Sequence, residues 1–258
     1  MSYRRFSADR LYICEDWFDR VETSGQWKDH GPIGGSESQP TKVELIGASG
    51  FFAIAKPGPT AGSKDSVYRA ANEKIAFDLA HLLELPIPPV ILWNPDAVEF
   101  PTGRCISAWA FAQSDSWDSA NSKGVLTKVL IDSAGPPVSA MRVFHTWISD
   151  TDRKSEHTQV DLQSDAELSI AFIDHAFSLS QVWQKENASA GACPAYMPAP
   201  EIKDVMIEMA DRIAGLDDEK VKEVIARIPS IYLPDLPRKL IISNLLSRKG
   251  NLRILLSL

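Results

Sequence analysis

Asp150-Thr151-Asp152-Arg153-Lys154-Ser155-Glu156-His157 follows an amphipathic helical pattern and precedes a short strand-like run. Downstream, Ile170-Ala171-Phe172-Ile173-Asp174-His175-Ala176-Phe177 sets a carboxylate at the end of an otherwise apolar strand. A charged loop is ordinarily a solvated surface. Asp174 is different, because it interrupts an apolar run, where an ionised group is costly unless it has a partner. Phosphoryl transfer to a hydroxyl needs a base to receive the proton and carboxylates to hold Mg²⁺ against the nucleotide phosphates. Asp152 in the loop and Asp174 at the strand end, on either side of a short hairpin, can supply both.

The surroundings of this stretch give the architecture. Two short strands, near 158–162 and 168–173, bracket a polar turn between the two aspartates. Helical patterns precede them at roughly 124–133 and 138–149. Further helices follow at 199–214, 218–227 and 236–248, stopped by Gly215, Pro229 and Gly250. Toward the N-terminus the pattern changes to strands at 41–46 and 51–56, joined by Gly47-Ala48-Ser49-Gly50 as a hairpin. A helix over 66–83 carries Val67, Ala71, Ile75, Leu79 and Leu82 at spacings of three or four. Strands over 90–93 and 104–111 follow. The polar stretch 113–123 reads as a loop and as the boundary between two lobes. The expectation is an α+β fold with a β-rich N-lobe bearing one helix (1–112) and a mostly helical C-lobe (113–258).

Lys56 ends an apolar strand, and Glu73 lies on the helix after it. An ion pair between them would aim the ammonium at a nucleotide phosphate. Gly34-Gly35-Ser36-Glu37-Ser38-Gln39-Pro40-Thr41-Lys42 places glycines and small hydroxyls before a strand, where backbone N–H groups can wrap a phosphate. Gly58-Pro59-Thr60-Ala61-Gly62-Ser63-Lys64-Asp65 imitates a Walker A loop but lacks its spacing and the Lys-Ser/Thr ending, so it reads as a plain loop.

Composition narrows the classes. The 258 residues are 44% hydrophobic and 24% charged, ample for a globular core. Lys and Arg total 27 against 34 Asp and Glu, a net charge of −7. Direct nucleic-acid binding is therefore not expected, and no Lys/Arg cluster interleaves the tryptophans as a base-stacking platform would require. Cys14, Cys105 and Cys193 are widely spaced thiols, which argues against metal fingers and a disulfide framework and points to the cytoplasm. No targeting or membrane segment is expected.

Taken together, Lys56, Glu73, Asp152-Arg153 and Ile173-Asp174-His175 resemble the HipA-like kinases, bacterial relatives of the protein and phosphatidylinositol kinases. The likeness extends through Asn72-Glu73-Lys74-Ile75-Ala76-Phe77-Asp78-Leu79-Ala80 into Leu85-Pro86-Ile87-Pro88. It also covers Arg227-Ile228-Pro229 and Leu245-Leu246-Ser247-Arg248, and in all spans about residues 34 to 250. The resemblance implies a two-lobed kinase fold using ATP and Mg²⁺, with a protein Ser or Thr hydroxyl as acceptor. Lys56 would bind the α/β-phosphates, held by Glu73, with Gly34, Gly35, Ser36 and Ser38 in the phosphate loop. Ser107 and Ala108 would belong to the adenine hinge, Asp152 would orient or deprotonate the hydroxyl, and Asp174 would bind Mg²⁺. It further implies a toxin–antitoxin or phage-defence setting, an antitoxin or DNA-binding protein as partner, and autophosphorylation at Ser36 or Ser38.

The sequence departs from the family at one position. Where the D-x-x-x-x-N pattern places a metal-binding asparagine, this chain has His157. An imidazole can ligate a metal, but Mg²⁺ prefers oxygen. The alternative is thus a nucleotide-binding pseudokinase acting as a regulatory module. A second rival, a phosphohydrolase metal cluster of His145, His157, His175, Asp152 and Asp174, is disfavoured. Strand alternation turns His175 away from Asp174, so both cannot face one metal.

Overall fold

The computed structural model describes residues 21–22, 27–33, 40–46, 52–57, 68–93, 104–107, 117–119, 128–150, 152–161, 169–179, 183, 191–195 and 200–258. The N-terminal part is built on β1 (Val21–Glu22), β2 (Trp27–Pro32), β3 (Thr41–Leu45), β4 (Phe52–Pro57), β5 (Val90–Trp93) and β6 (Arg104–Ser107). They form one sheet in the order β1-β5-β6-β4-β3-β2. Its pairings are antiparallel except for the parallel contact of β1 with β5.

Alternation along β4 sorts the two faces of this sheet. Ala53 and Ala55 are fully buried on one side, with Val43 opposite Ala53. Ile54 and Lys56 project from the other side, where Ile54 pairs with Ser107, Lys56 with Cys105, and Ser107 with Val90. A one-residue slip would turn Lys56 into the opposite layer.

Helix α1 (Arg69–Leu82) packs against β5 and β6. Every residue from Arg69 to Ala80 is buried, including Asn72, Glu73, Lys74 and Asp78. A helix polar on one stripe and buried all round must pair its polar groups internally. Lys74 meets Asp78 at 2.8 Å, and the Asn72 amide donates to the Ala176 carbonyl at 3.0 Å.

The C-terminal part begins with β7 (Trp117–Ser119) and the long helix α2 (Lys128–Trp147). A turn of 3₁₀-helix, Ser155–His157, leads into β8 (Thr158–Asp161), which pairs with β9 (Ser169–Phe172). These strands form a small antiparallel sheet in the order β7-β8-β9. Helices α3 (Lys203–Ala214), α4 (Asp218–Ala226), α5 (Asp235–Lys249) and α6 (Leu252–Leu255) complete it. The architecture is α+β, with a mainly antiparallel N-terminal sheet and a helical C-terminal part.

Several expected elements are corrected. Helix α2 is one helix through Pro136 and Pro137, not two. Interior proline costs about 3 kcal/mol. It is outweighed by the buried stripe Val138, Met141, Phe144 and Trp147, each such side chain contributing about 1.5–3 kcal/mol. Gly135 lets the chain near Pro200 and Ile202 lie close, since a Cβ there would sit 3.2 Å from Ile202 Cδ1. The helix expected from 199 starts instead at Lys203, because the Ile202 N–H donates to Ser139 Oγ at 2.9 Å and the chain there remains extended. Within the supposed loop 113–123, residues 117–119 pair with β8. Strand β2, at Trp27–Pro32, is not among the expected strands. The expected division between residues 112 and 113 falls outside the described residues.

Two buried contacts join distant segments, the first across the two parts and the second within the C-terminal part. The Phe172 N–H donates to the Pro86 carbonyl at 2.9 Å, bonding β9 to the segment before β5. At the end of α2, Arg248 Nε donates to the Thr146 and Trp147 carbonyls at 3.2 and 3.1 Å. A cation there satisfies terminal carbonyls and opposes the negative end of the helix dipole. No described helix is long and apolar enough to cross a membrane.

Candidate active site

Lys56 leaves β4 toward α1 and meets two carboxylates. Its Nζ lies 2.5 Å from Glu73 Oε1 and 3.1 Å from Asp174 Oδ1. Burial works against the ammonium, but Asp174 and then Glu73 outweigh it and hold its pKa above the ordinary lysine value. Lys56 in turn is the largest influence on Asp174, whose carboxyl is held well below the usual carboxylate range despite burial. Both groups are therefore charged at neutral pH. The second oxygen of Glu73 accepts from the His175 backbone N–H at 3.1 Å, so the α1 glutamate is anchored to the chain that carries Asp174.

Asp174 sits just beyond β9 with φ of 65°, in the left-handed region. Aspartate tolerates that region better than most residues, and such conformations collect at functional sites. The bend leaves the Asp174 side chain 36% exposed while His175 is fully buried. The strand ends at Phe172, so the different exposures of Asp174 and His175 arise at this bend and not from the strand alternation expected there.

The loop before β8 is organised by Arg153. Its Nε lies 3.0 Å from Asp150 Oδ2, both side chains completely enclosed. Its NH2 group donates to the Ile173 carbonyl at 2.9 Å and to the Asp174 carbonyl, and lies 3.3 Å from His157 Nδ1. Burial pushes the Asp150 carboxyl up to about 6, with Arg153 opposing. The other Asp150 oxygen accepts the Asp152 N–H at 3.2 Å and so fixes the backbone of the next acidic residue. Asp152 itself stands at the surface, 37% exposed, with Lys154 Nζ at 3.1 Å. Burial and then Arg153 lower the His157 imidazole to about 4, so it is neutral at physiological pH. Its Nε2 lies 3.8 Å from Asp174 Oδ2.

A cleft of about 260 Å³ opens over these groups. Its polar lining includes Lys56, Glu73, Asp174 and Ser107, and Ile54, Val90, Ile87 and Phe172 supply apolar walls. Apolar walls with a few convergent charges suit a small ligand with a flat ring and an anionic tail. Ile33 and Pro40 also line it, and the Ile33 N–H donates to the Pro40 carbonyl at 2.7 Å. Gly34, Gly35, Ser36 and Ser38, which lie between those two residues, are outside the described residues, as is Ala108.

Of the sequence-derived residues, the fold gathers Lys56, Glu73, Ser107 and Asp174 at one cleft and sets His157 beside Asp174. Asp152 shares the loop anchored by Arg153. Sequence reasoning missed the structural work of Asn72, Asp150 and Arg153. Arg153 stood in the quoted motif, but its carbonyl partners carry no side-chain signal. A separate group, His145, Asp150 and His175, brings its ligand atoms within 4.8 Å of one another, with His145 Nε2 and His175 Nε2 3.3 Å apart. All are buried, which closes this group to a substrate; His157, Asp152 and Asp174, the other members of the expected hydrolase cluster, are not part of it. Both imidazoles are driven well below their ordinary pKa, first by burial and then by the Arg153 charge.

No sequence-family profile and no curated protein matches the chain. Solved structures do. The chain is similar to the Helicobacter pylori proinflammatory kinase CtkA, with TM-score 0.62 and 13% identity, over 91% of this chain and 94% of that one. It is also similar to Shewanella oneidensis HipA from a complex with HipB and operator DNA, with TM-score 0.51 and 12% identity, over 97% of this chain and 72% of that one. The fold is that of the HipA-like kinases. At such identities the likeness concerns the fold, and the chemistry rests on the residues themselves.

Proposed function

We propose that the protein is a HipA-like kinase that transfers the γ-phosphoryl group of ATP to a Ser or Thr hydroxyl of a protein. The observation that carries this reading is the Lys56–Glu73–Asp174 cluster at a cleft between sheet and helices. An ammonium held by two carboxylates keeps its direction, so its charge is offered to an anion at a fixed place. Adenine would lie on the apolar walls beside Ser107. The α- and β-phosphates would meet Lys56, and the Gly34–Ser38 stretch would cover them.

Asp174 fits Mg²⁺: it is an ionised, part-exposed carboxylate, the donor type a hard cation takes together with phosphate oxygens and water. Bound there, the cation would neutralise charge on the β- and γ-phosphates. Asp152 would receive the proton of the attacking hydroxyl, whose oxygen then forms the new bond to the γ-phosphorus. The bond from that phosphorus to the β–γ bridging oxygen breaks, and ADP departs with the electron pair. The exposure of Asp152 suits an acceptor presented by a macromolecule. Lys154, 3.1 Å from Asp152, would add a positive charge near the acceptor hydroxyl.

The HipA neighbour was solved with HipB and operator DNA. By analogy, the partner proposed here is an antitoxin or DNA-binding protein in a toxin–antitoxin or phage-defence setting. Ser36 and Ser38 are proposed autophosphorylation sites. A phosphate there would add about −1.5 to −2 charge in the same cleft and inhibit ATP binding. A second reading, a nucleotide-binding pseudokinase, is favoured by one observation, the imidazole of His157 in a position that calls for an oxygen ligand. Purified protein incubated with γ-labelled ATP and Mg²⁺ separates the two. The kinase reading expects label in the protein or an added acceptor and its loss in Asp152→Ala. ATP binding with no transfer under any condition would leave the pseudokinase.

A further inference from the structure

His157 is held by Arg153 in a way that decides which of its nitrogens carries the proton. The Arg153 NH2 group lies 3.3 Å from His157 Nδ1. A guanidinium has only donors and keeps them at every pH at which proteins fold. Nδ1 is therefore the acceptor and bears the lone pair, which leaves the ring proton of the neutral imidazole on Nε2. Nε2 is the nitrogen nearest the Asp174 carboxylate, 3.8 Å from Oδ2. Arg153 has little freedom to release Nδ1, because the same guanidinium bridges the Ile173 and Asp174 carbonyls and the enclosed Asp150. A nitrogen that bears a proton has no lone pair for a metal.

We propose that His157 is a fixed hydrogen-bond donor beside Asp174 and not a metal ligand, its Nε2–H directed at an anionic oxygen of Asp174 or of a bound phosphate. An asparagine at this position could turn its carbonyl oxygen to a cation; an imidazole whose Nδ1 is committed to Arg153 cannot. Kinases of related build hold two Mg²⁺ through an aspartate and an asparagine. This site would hold one, on Asp174, with an N–H in place of the second. Arg153 is thus a positioning residue that acts through the tautomer of its neighbour. This inference deepens the kinase reading and rests on it for the ligand, but not for the tautomer.

Two measurements test it separately. In protein labelled with ¹⁵N on the histidine rings, the His157 signals, assigned by their loss in His157→Asn or His157→Gln, should show an unprotonated Nδ1 and a protonated Nε2 at pH 7. The reverse pattern would overturn the proposal whether or not nucleotide binds. Titration of Mn²⁺ with a non-hydrolysable ATP analogue, followed by electron paramagnetic resonance, should then count one ion per bound nucleotide in the wild type and a second in His157→Asn. Two ions in the wild type would overturn it, and one ion in both proteins would show that His157 is not what excludes the second. Absence of nucleotide binding would instead remove the kinase reading, leaving the ring signals to decide the role of His157.

Discussion

Asp152 and Asp174 lie in different surroundings, and that difference assigns them separable tasks. Asp174 touches Lys56 and faces the cleft, whereas Asp152 stands at the surface beside Lys154. Asp174→Asn should weaken Mg²⁺-dependent ATP binding, because a metal-holding charge is lost. Asp152→Asn should spare that affinity and lower the transfer rate by about 10²-fold or more, because proton acceptance matters in the transition state. Equilibrium binding and single-turnover rates on both variants check this, and identical behaviour would contradict it. His157 gives a second residue-scale prediction. Its pKa is lowered from 6.5 to about 4 in the folded state, so between those values the unfolded chain binds the extra proton. Stability should fall as pH drops from about 6.5 toward 4, and His157→Asn should remove that share. Because Asp150, raised to about 6, acts in the opposite sense, the difference between the proteins is what counts. Urea unfolding at pH 7.5 and 4.5 should cost the wild type about 2–3 kcal/mol more than the variant. Equal losses would mean that the imidazole is not held neutral by its surroundings.

At the scale of elements, helix α2 shows how packing overrides propensity. Gly135 admits Ile202 Cδ1 and the Pro200 carbonyl at 3.2 and 3.3 Å from where its Cβ would be. Gly135→Val adds branched methyls there and should destabilise by about 1–3 kcal/mol in denaturant unfolding. Gly135→Ala should cost less, since better helix propensity returns about 1 kcal/mol. A valine variant as stable as the wild type would contradict this packing. The same contrast explains what the sequence revealed. Strand β5 appears at the expected residues, and α1, α4 and α5 within a few, because apolar spacing and their stop signals are local. The path of α2 through Pro136-Pro137, and strands β1 and β7, depend on partners distant in the chain, and β2, paired with its neighbour β3, carries no apolar alternation. At the site, Lys56, Glu73 and Asp174 were legible because charge in an apolar strand or at its end is costly. The Arg153 network was not, because its acceptors include main-chain carbonyls some 20 residues away.

Across the whole molecule, the N-terminal sheet supplies Lys56, α1 supplies Glu73, and the exit of β9 supplies Asp174. Asn72 and Glu73 bond to the backbone of residues 175–176, and Phe172 bonds to Pro86, so the two parts share one polar seam. The cleft lies along that seam, and the central claim is that it binds ATP through Lys56. The direct measurement is calorimetric titration of Mg-ATP into the wild type and Lys56→Met, with thermal unfolding as a check on folding. The account predicts saturable binding at one site in the wild type, a thermal shift reflecting about 2.7 kcal/mol at a hundredfold excess over Kd, and loss of both in a folded Lys56→Met. Unchanged ATP affinity in that variant would contradict it.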